Sequence, residues 1–216
     1  MNHLLAESIL DDLNKVYPHT QNGMNFLKFR NPFELLIMTI LSAQTTDVII
    51  NNLRDTLFKK YPDARALSVA DPEEVEQIIH SAGYYRAKTK NIIGTAKMLE
   101  ENFGGVVPNT IEELITLPGV GRKTANIVTN HAFHKTYGIA VDTHVGRLSQ
   151  RIGFTKNTDP DKIEKDLMEL FPKKRWSEIN YLLISHGRAV CTAKKPDCTK
   201  CIISHNCQSY RERGEK

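Results

Sequence analysis

The sequence predicts an all-α protein. Three observations carry that prediction: helix-start signals recur along the chain, apolar residues repeat at helical spacing, and strand signals are nearly absent. MNHLLAESILDDL at the N-terminus reads as a first amphipathic helix. Asn31-Pro32-Phe33-Glu34 then supplies a capping residue, a proline at the first helical position and an acid at the third. Asp71-Pro72-Glu73-Glu74 repeats this pattern, and Asp159-Pro160-Asp161 repeats most of it. Between Tyr85 and Phe103, the residues Ile92, Ala96, Leu99 and Phe103 share one helical face, with Lys88, Lys90 and Lys97 expected on the others. Thr110 and Glu113 have capping-box spacing. Gly138-Ile139-Ala140-Val141 is the best strand candidate, too short to nucleate a sheet alone. The expectation is about ten helices joined by short loops.

A chain of 216 residues with 40% hydrophobic content forms one large domain or two small ones around a sizeable core. Its net charge of +4 permits nucleic acid as a partner without demanding it. No apolar run approaches the roughly 18 residues of a membrane span. The first thirteen residues carry three acids and no Lys or Arg, unlike a signal or transit peptide. An intracellular location is expected, in the cytoplasm and nucleoid of a prokaryotic source. All four cysteines fall near the end, at 191, 198, 201 and 207. Such local clustering in a reducing compartment points to a metal site rather than a disulfide framework. From the spacing C-x6-C-x2-C-x5-C, zinc and an iron–sulfur cluster both remain open, zinc being the commoner structural metal.

The stretch LPGVGRKTAN at 117–126 has the look of a phosphate loop. A Walker loop requires glycine directly before the lysine, where Arg122 stands, and another five residues earlier, where Thr116 stands. The dinucleotide fingerprint requires a third glycine where Thr124 stands, and a preceding strand. Both nucleotide motifs fail. What remains is a short helix from Thr110 to Leu117, a turn at Pro118-Gly119-Val120-Gly121 whose glycines take positive φ, and a helix from Arg122 to about Phe133. The amides that open this second helix suit a DNA phosphate. The alternative is an ordinary tight turn between packed helices.

LPGVGRKTAN followed by AVDTH resembles the endonuclease III family of base-excision DNA glycosylases. SAQTTD at 42–47, GYYRAKTKNI at 83–92 and the cysteine cluster extend the resemblance over most of the chain, in the family's order. It implies a helix-hairpin-helix DNA glycosylase fold. A six-helix domain would span 22–133, with the hairpin at about 110–133. Residues 1–21 with 134–216 would form a helical iron–sulfur domain, its cluster loop at 191–207. The implied activity is that of a monomeric bifunctional enzyme removing oxidised pyrimidines from double-stranded DNA and cleaving abasic sites by β-elimination.

The resemblance implies Lys123 and Asp142 as the catalytic pair. A lysine Schiff base serves both base release and strand scission, and the attack needs a neutral amine. Arg122 and the positive end of the helix favour that form, as partial burial would. Asp142 also reads as the N-cap of a helix from Thr143 to about Ile152, and the two roles are compatible. The implied DNA contacts are Gly119, Val120, Gly121, Arg122 and Thr124 in the hairpin, and Lys194 and Lys195 beside the cysteines. Gln44 and Tyr84 stand at the implied gap-filling positions. Gln44 alternatively opens the next helix, and Tyr84, where many relatives have leucine, alternatively packs in the core. Ser42, Asp47 and His144 occupy implied pocket positions, a capping serine and a buried histidine being the plainer readings. Cys191, Cys198, Cys201 and Cys207 are implied ligands of a [4Fe–4S] cluster. The carbonyls of Ile115, Leu117 and Val120 are candidates for a monovalent cation. The competing functions are a monofunctional mismatch or adenine glycosylase of the same fold, and a non-catalytic hairpin module that grips DNA.

Overall fold

A computed structural model describes residues 1–19 and 24–214. Among the described residues there are twelve α-helices and no strand. The chain divides into two compact units, Asn25–Tyr137 and Met1–Met24 with Gly138–Lys216. The expected boundary at 21/22 lies outside the described residues, and the later division falls at 137/138 rather than 133/134.

The unit Asn25–Tyr137 contains α2 (Pro32–Leu41), α3 (Asp47–Lys60), α4 (Ala64–Ser68), α5 (Pro72–Ile79), α6 (Tyr85–Phe103), α7 (Ile111–Leu114) and α8 (Arg122–Phe133). Seven helices thus stand where six were expected, α4 and α7 being single short turns. Helix α2 is apolar nearly all round, so it is buried from Phe33 to Leu41 and packs against α3, α6 and α8. The caps read from sequence are formed: Asn31 accepts the Glu34 amide at 2.9 Å and Asp71 accepts the Glu73 amide at 3.0 Å. Glu34 is the one acid inside α2, 1% exposed, and is held by Arg30 and Arg54.

Helix α6 lays Ile92, Ala96 and Leu99 into this core. Lys88 departs from expectation. It lies four residues before Ile92, on the same stripe, and is only 5% exposed.

The second unit contains α1 (His3–Val16), α9 (Thr143–Ile152), α10 (Pro160–Leu170), α11 (Trp176–Ala189) and α12 (Gln208–Glu212). Asp159 caps α10 through the Lys162 amide at 3.0 Å. Helix α9 packs against α10, α11 and α12, and α1 packs against α11. The strand expected at 138–141 does not form. Side chains satisfy this backbone instead: the Ile139 amide donates to Glu164 at 3.2 Å, and Asn180 donates to the Ala140 carbonyl at 2.8 Å.

Candidate active site and metal centre

The hairpin is built against α6. Helix α7 ends at Leu114, earlier than expected, and tight turns carry the chain through Ile115–Val120. Thr110 receives the Glu113 amide at 3.4 Å, and its hydroxyl donates to the Glu113 carboxylate at 2.6 Å, so the capping box closes between side chains. Thr95 on α6 donates to the Pro118 carbonyl at 2.8 Å. Gly119 has φ +75°, and a Cβ there would stand 2.8–3.0 Å from Asn91 of α6. Glycine is therefore required at 119 by both backbone and neighbour. Gly121 differs from expectation: its φ is −96°, and a Cβ would meet nothing within 4 Å. Gly121 is the N-cap of α8, and no side chain caps that helix. Arg122 and Lys123 are exposed and Thr124 half-buried at its first turn, so Lys123 lacks the partial burial expected. The Leu117 carbonyl accepts the Val120 amide at 3.1 Å, which occupies one lone pair of that cation candidate.

Two loops of the same unit carry strained backbone. Among the described residues, the non-glycine positions with positive φ are Gln44, Tyr84 and His134. Gln44 sits at φ +54° in the loop after α2, ahead of α3, so it is not a helix-opening residue. Tyr84 sits at φ +49° and is 71% exposed, which excludes core packing. Tyr85, the next residue, stacks on His80 instead, at 4.6 Å between ring centres. A bulky residue in the left-handed region costs energy, and such positions concentrate at functional sites. Lys88 joins the two loops: its ammonium donates to Thr45 Oγ1 at 2.7 Å and to the Ala82 carbonyl. Ser42 C-caps α2, its hydroxyl donating to the Thr39 carbonyl at 2.8 Å, and Asp47 opens α3.

In the second unit Asp142 is the N-cap of α9. Its Oδ1 accepts the amides of His144 at 2.9 Å and Val145 at 2.8 Å. Oδ2 takes no part in this cap. His144 is half-buried, with Nδ1 3.2 Å from Arg147.

Cys191, Cys198, Cys201 and Cys207 line one small cavity, together with Arg151 and His186. Arg151 donates to Cys191 Sγ at 3.4 Å and to the carbonyls of Thr192 and Ala193 at 2.8 Å each. His186 places Nε2 3.3 Å from Cys201 Sγ and Nδ1 3.2 Å from the Tyr17 hydroxyl. Burial pushes the Cys201 thiol up to about 11, and burial also raises that of Cys207. Four soft donors around a shared hole, two of them costly to leave as bare thiolates, fit a cationic guest. Among the described residues, no three His, Cys, Asp or Glu side chains converge closely enough for a single metal ion. Lys194 and Lys195 are exposed on the loop between the first two cysteines.

Sequence reasoning missed Lys88, Asn91, Thr95, Arg151 and His186. Only Lys88 had a local signal, its register with Ile92 and Ala96. The others act through partners distant in sequence.

An uncapped helix behind a buttressed hairpin, in an all-helical chain, is a helix-hairpin-helix arrangement. The family model for HhH-GPD superfamily base excision DNA repair proteins matches residues 37–173. Endonuclease III of Synechocystis sp. is 50% identical over 204 residues, 94% of this chain and 92% of its own. Endonuclease III of Bacillus subtilis is 42% identical over 217 residues, 100% of this chain and 97% of its own. A solved trapped endonuclease III–DNA covalent intermediate has a TM-score of 0.91 and 40% identity, with both chains fully covered. The chain belongs to the endonuclease III family. No described helix is long and apolar enough to cross a membrane.

Proposed function

We propose that this chain is a bifunctional DNA glycosylase and abasic-site lyase that removes oxidised pyrimidines from double-stranded DNA in base excision repair. The observation that carries the reading is an exposed lysine, Lys123, in the first turn of an uncapped helix directly behind a DNA-gripping hairpin. The α8 amides, with Gly119, Val120, Gly121, Arg122 and Thr124, hold backbone phosphate. Gly121 lets the strand approach, which agrees with the open space where its Cβ would be.

The Lys123 amine attacks the sugar C1′, forming a C–N bond as the glycosidic bond breaks and the base departs. Asp142 keeps Oδ1 on its cap and offers Oδ2 to the amine proton and to positive charge developing on the sugar. The sugar ring then opens: the C1′–O4′ bond breaks, O4′ takes up a proton as the nitrogen gives one up, and the resulting imine withdraws electrons from C2′, which loses a proton as the 3′ phosphate leaves by β-elimination. Gln44 and Tyr84 fill the gap left by the extruded nucleotide, and their exposed, strained backbone supports that role. Ser42, Asp47 and His144 border the base pocket. Lys194 and Lys195 contact flanking phosphates.

Cys191, Cys198, Cys201 and Cys207 hold a [4Fe–4S] cluster. The cavity shared by the four cysteines and the resemblance of their spacing to that of the endonuclease III family support this reading. Held there, it would organise the segment that carries Lys194 and Lys195. A monovalent cation on the Ile115, Leu117 and Val120 carbonyls belongs to the same reading. So does a cytoplasmic, DNA-associated monomer, in keeping with bacterial relatives.

A monofunctional glycosylase has no use for an amine at 123, and a passive hairpin module has no use for Lys123, Asp142 and Gln44 together. Borohydride reduction with abasic-site DNA tests the reading. Wild-type chain forms a covalent complex and Lys123→Ala forms none. Full trapping by Lys123→Ala overturns the assignment.

A further inference from the structure

Lys88 is a buried ammonium that the chemistry above does not use. At 5% exposure it has no carboxylate partner among the described residues. Its partners are neutral: Thr45 Oγ1 at 2.7 Å and the Ala82 carbonyl. The Thr45 hydroxyl also donates to the Ala82 carbonyl, closing a triangle of three hydrogen bonds. The proton directions agree, because an ammonium only donates, while the hydroxyl accepts from it and donates onward.

An apolar side chain of similar length would fill this space without desolvating a charge. Burial indeed lowers the Lys88 pKa. The lysine is therefore a costly choice for packing alone. Its two anchors are informative. Thr45 directly follows Gln44. Ala82 precedes Gly83, at φ +57° and ψ 147°, and then Tyr84. The buried ammonium ties down one end of each strained loop.

We propose that Lys88 is a positioning residue that locks the Gln44 and Tyr84 loops together, so that both gap-filling side chains stand ready before DNA is engaged. The proposal rests on the gap-filling reading of those two residues. Pre-ordering the loops removes an ordering cost from the step that extrudes a nucleotide from a duplex. A strand that is already single has no such step. Lys88 therefore acts on duplex substrate selectively.

The test uses the full, cluster-loaded chain and single-turnover cleavage of one abasic site, placed either in a duplex or in the same strand alone. Lys88→Met removes the donors and keeps the bulk. Thr45→Val cuts the same link from the other end and carries the test where Lys88→Met does not fold. Each is expected to lose about tenfold on duplex while staying within about twofold of wild type on single strand. The double variant is expected to be no worse than Lys88→Met alone. Equal losses on both substrates, or unchanged duplex cleavage, overturn the proposal. Gln44→Ala and Tyr84→Ala, run beside them, separate the two levels. If these cleave duplex normally, the gap-filling reading itself fails, and the Lys88 role with it. If they are impaired while Lys88→Met and Thr45→Val are not, only the Lys88 role fails.

Discussion

One oxygen of Asp142 accepts the amides of both His144 and Val145, so a single carboxylate starts α9 while its other oxygen stays out of the cap. The observed cap and the proposed chemical role of this residue can be separated. Asn caps a helix about as well as Asp, and Ala does not. Asp142→Asn is expected to melt near wild type, retain DNA binding and lose about 10²–10⁴ in the chemical step. Asp142→Ala is expected to lose about 1 kcal/mol of stability in addition. Calorimetry and single-turnover cleavage read the two effects apart. Normal cleavage by Asp142→Asn leaves the cap as its only role.

The two hairpin glycines should respond oppositely to alanine. Gly119 has positive φ and lies against Asn91, so Gly119→Ala is expected to cost about 1–2 kcal/mol or more in thermal unfolding. Gly121→Ala meets open space at an ordinary φ and should leave the melting temperature unchanged. DNA affinity should fall for both, since at 121 the added methyl meets the strand.

Residues 191–214 bury only Ile203 among their side chains. A segment with so little apolar core depends on its bound group for order. Purified protein is expected to be coloured and to carry about four irons per chain. Chelating the iron should expose residues 191–207 to protease while Asn25–Tyr137 stays resistant. A colourless protein containing zinc contradicts the cluster assignment.

Acid should destabilise the chain in two stages. Burial, with the charge of His134 adding to it, pushes His131 from 6.5 down to about 4. The unfolded chain then takes up a proton that the folded chain refuses, so stability falls as pH drops from about 6.5 towards 4. His131→Leu should make this stage of a melting-temperature profile shallower, leaving the share of His186, which burial also lowers to about 4. Burial alone would raise the Glu34 carboxyl, but the hydrogen bonds from Arg30 and Arg54 outweigh it and hold the carboxyl below its usual range. Its contribution is present above the unfolded value of 4.5 and is lost as pH falls through the lower folded value. Glu34→Gln removes this second stage. Glu34→Ala should cost about 2 kcal/mol at neutral pH, less than a fully buried pair because Arg30 remains in solvent.

The helix starts were legible because capping is local chemistry. Asn31, Asp71 and Asp159 each bind an amide two or three residues away. The hairpin was legible because its turn residues are contiguous. The extended segment at 138–141 differs from the expected strand because a short apolar run looks alike whether strands or side chains satisfy its backbone. Lys88 departs from the expected exposed position because its register with Ile92 and Ala96 outweighs its charge. The left-handed backbone at Gln44 and Tyr84 had no sequence signal, since neither residue type prefers that conformation.

The buttress of the hairpin and the lock on the loops sit on one helix. Lys88 and Thr95 are seven residues apart on α6, two turns along one face, which is a rise of about 10 Å. Inserting one residue between them would swing Thr95 by about 100° and break its bond to Pro118. Helix α6 is thus a ruler. The distance from the hairpin to the Thr45 and Ala82 anchors is counted in whole helical turns, and it can change only by a turn at a time.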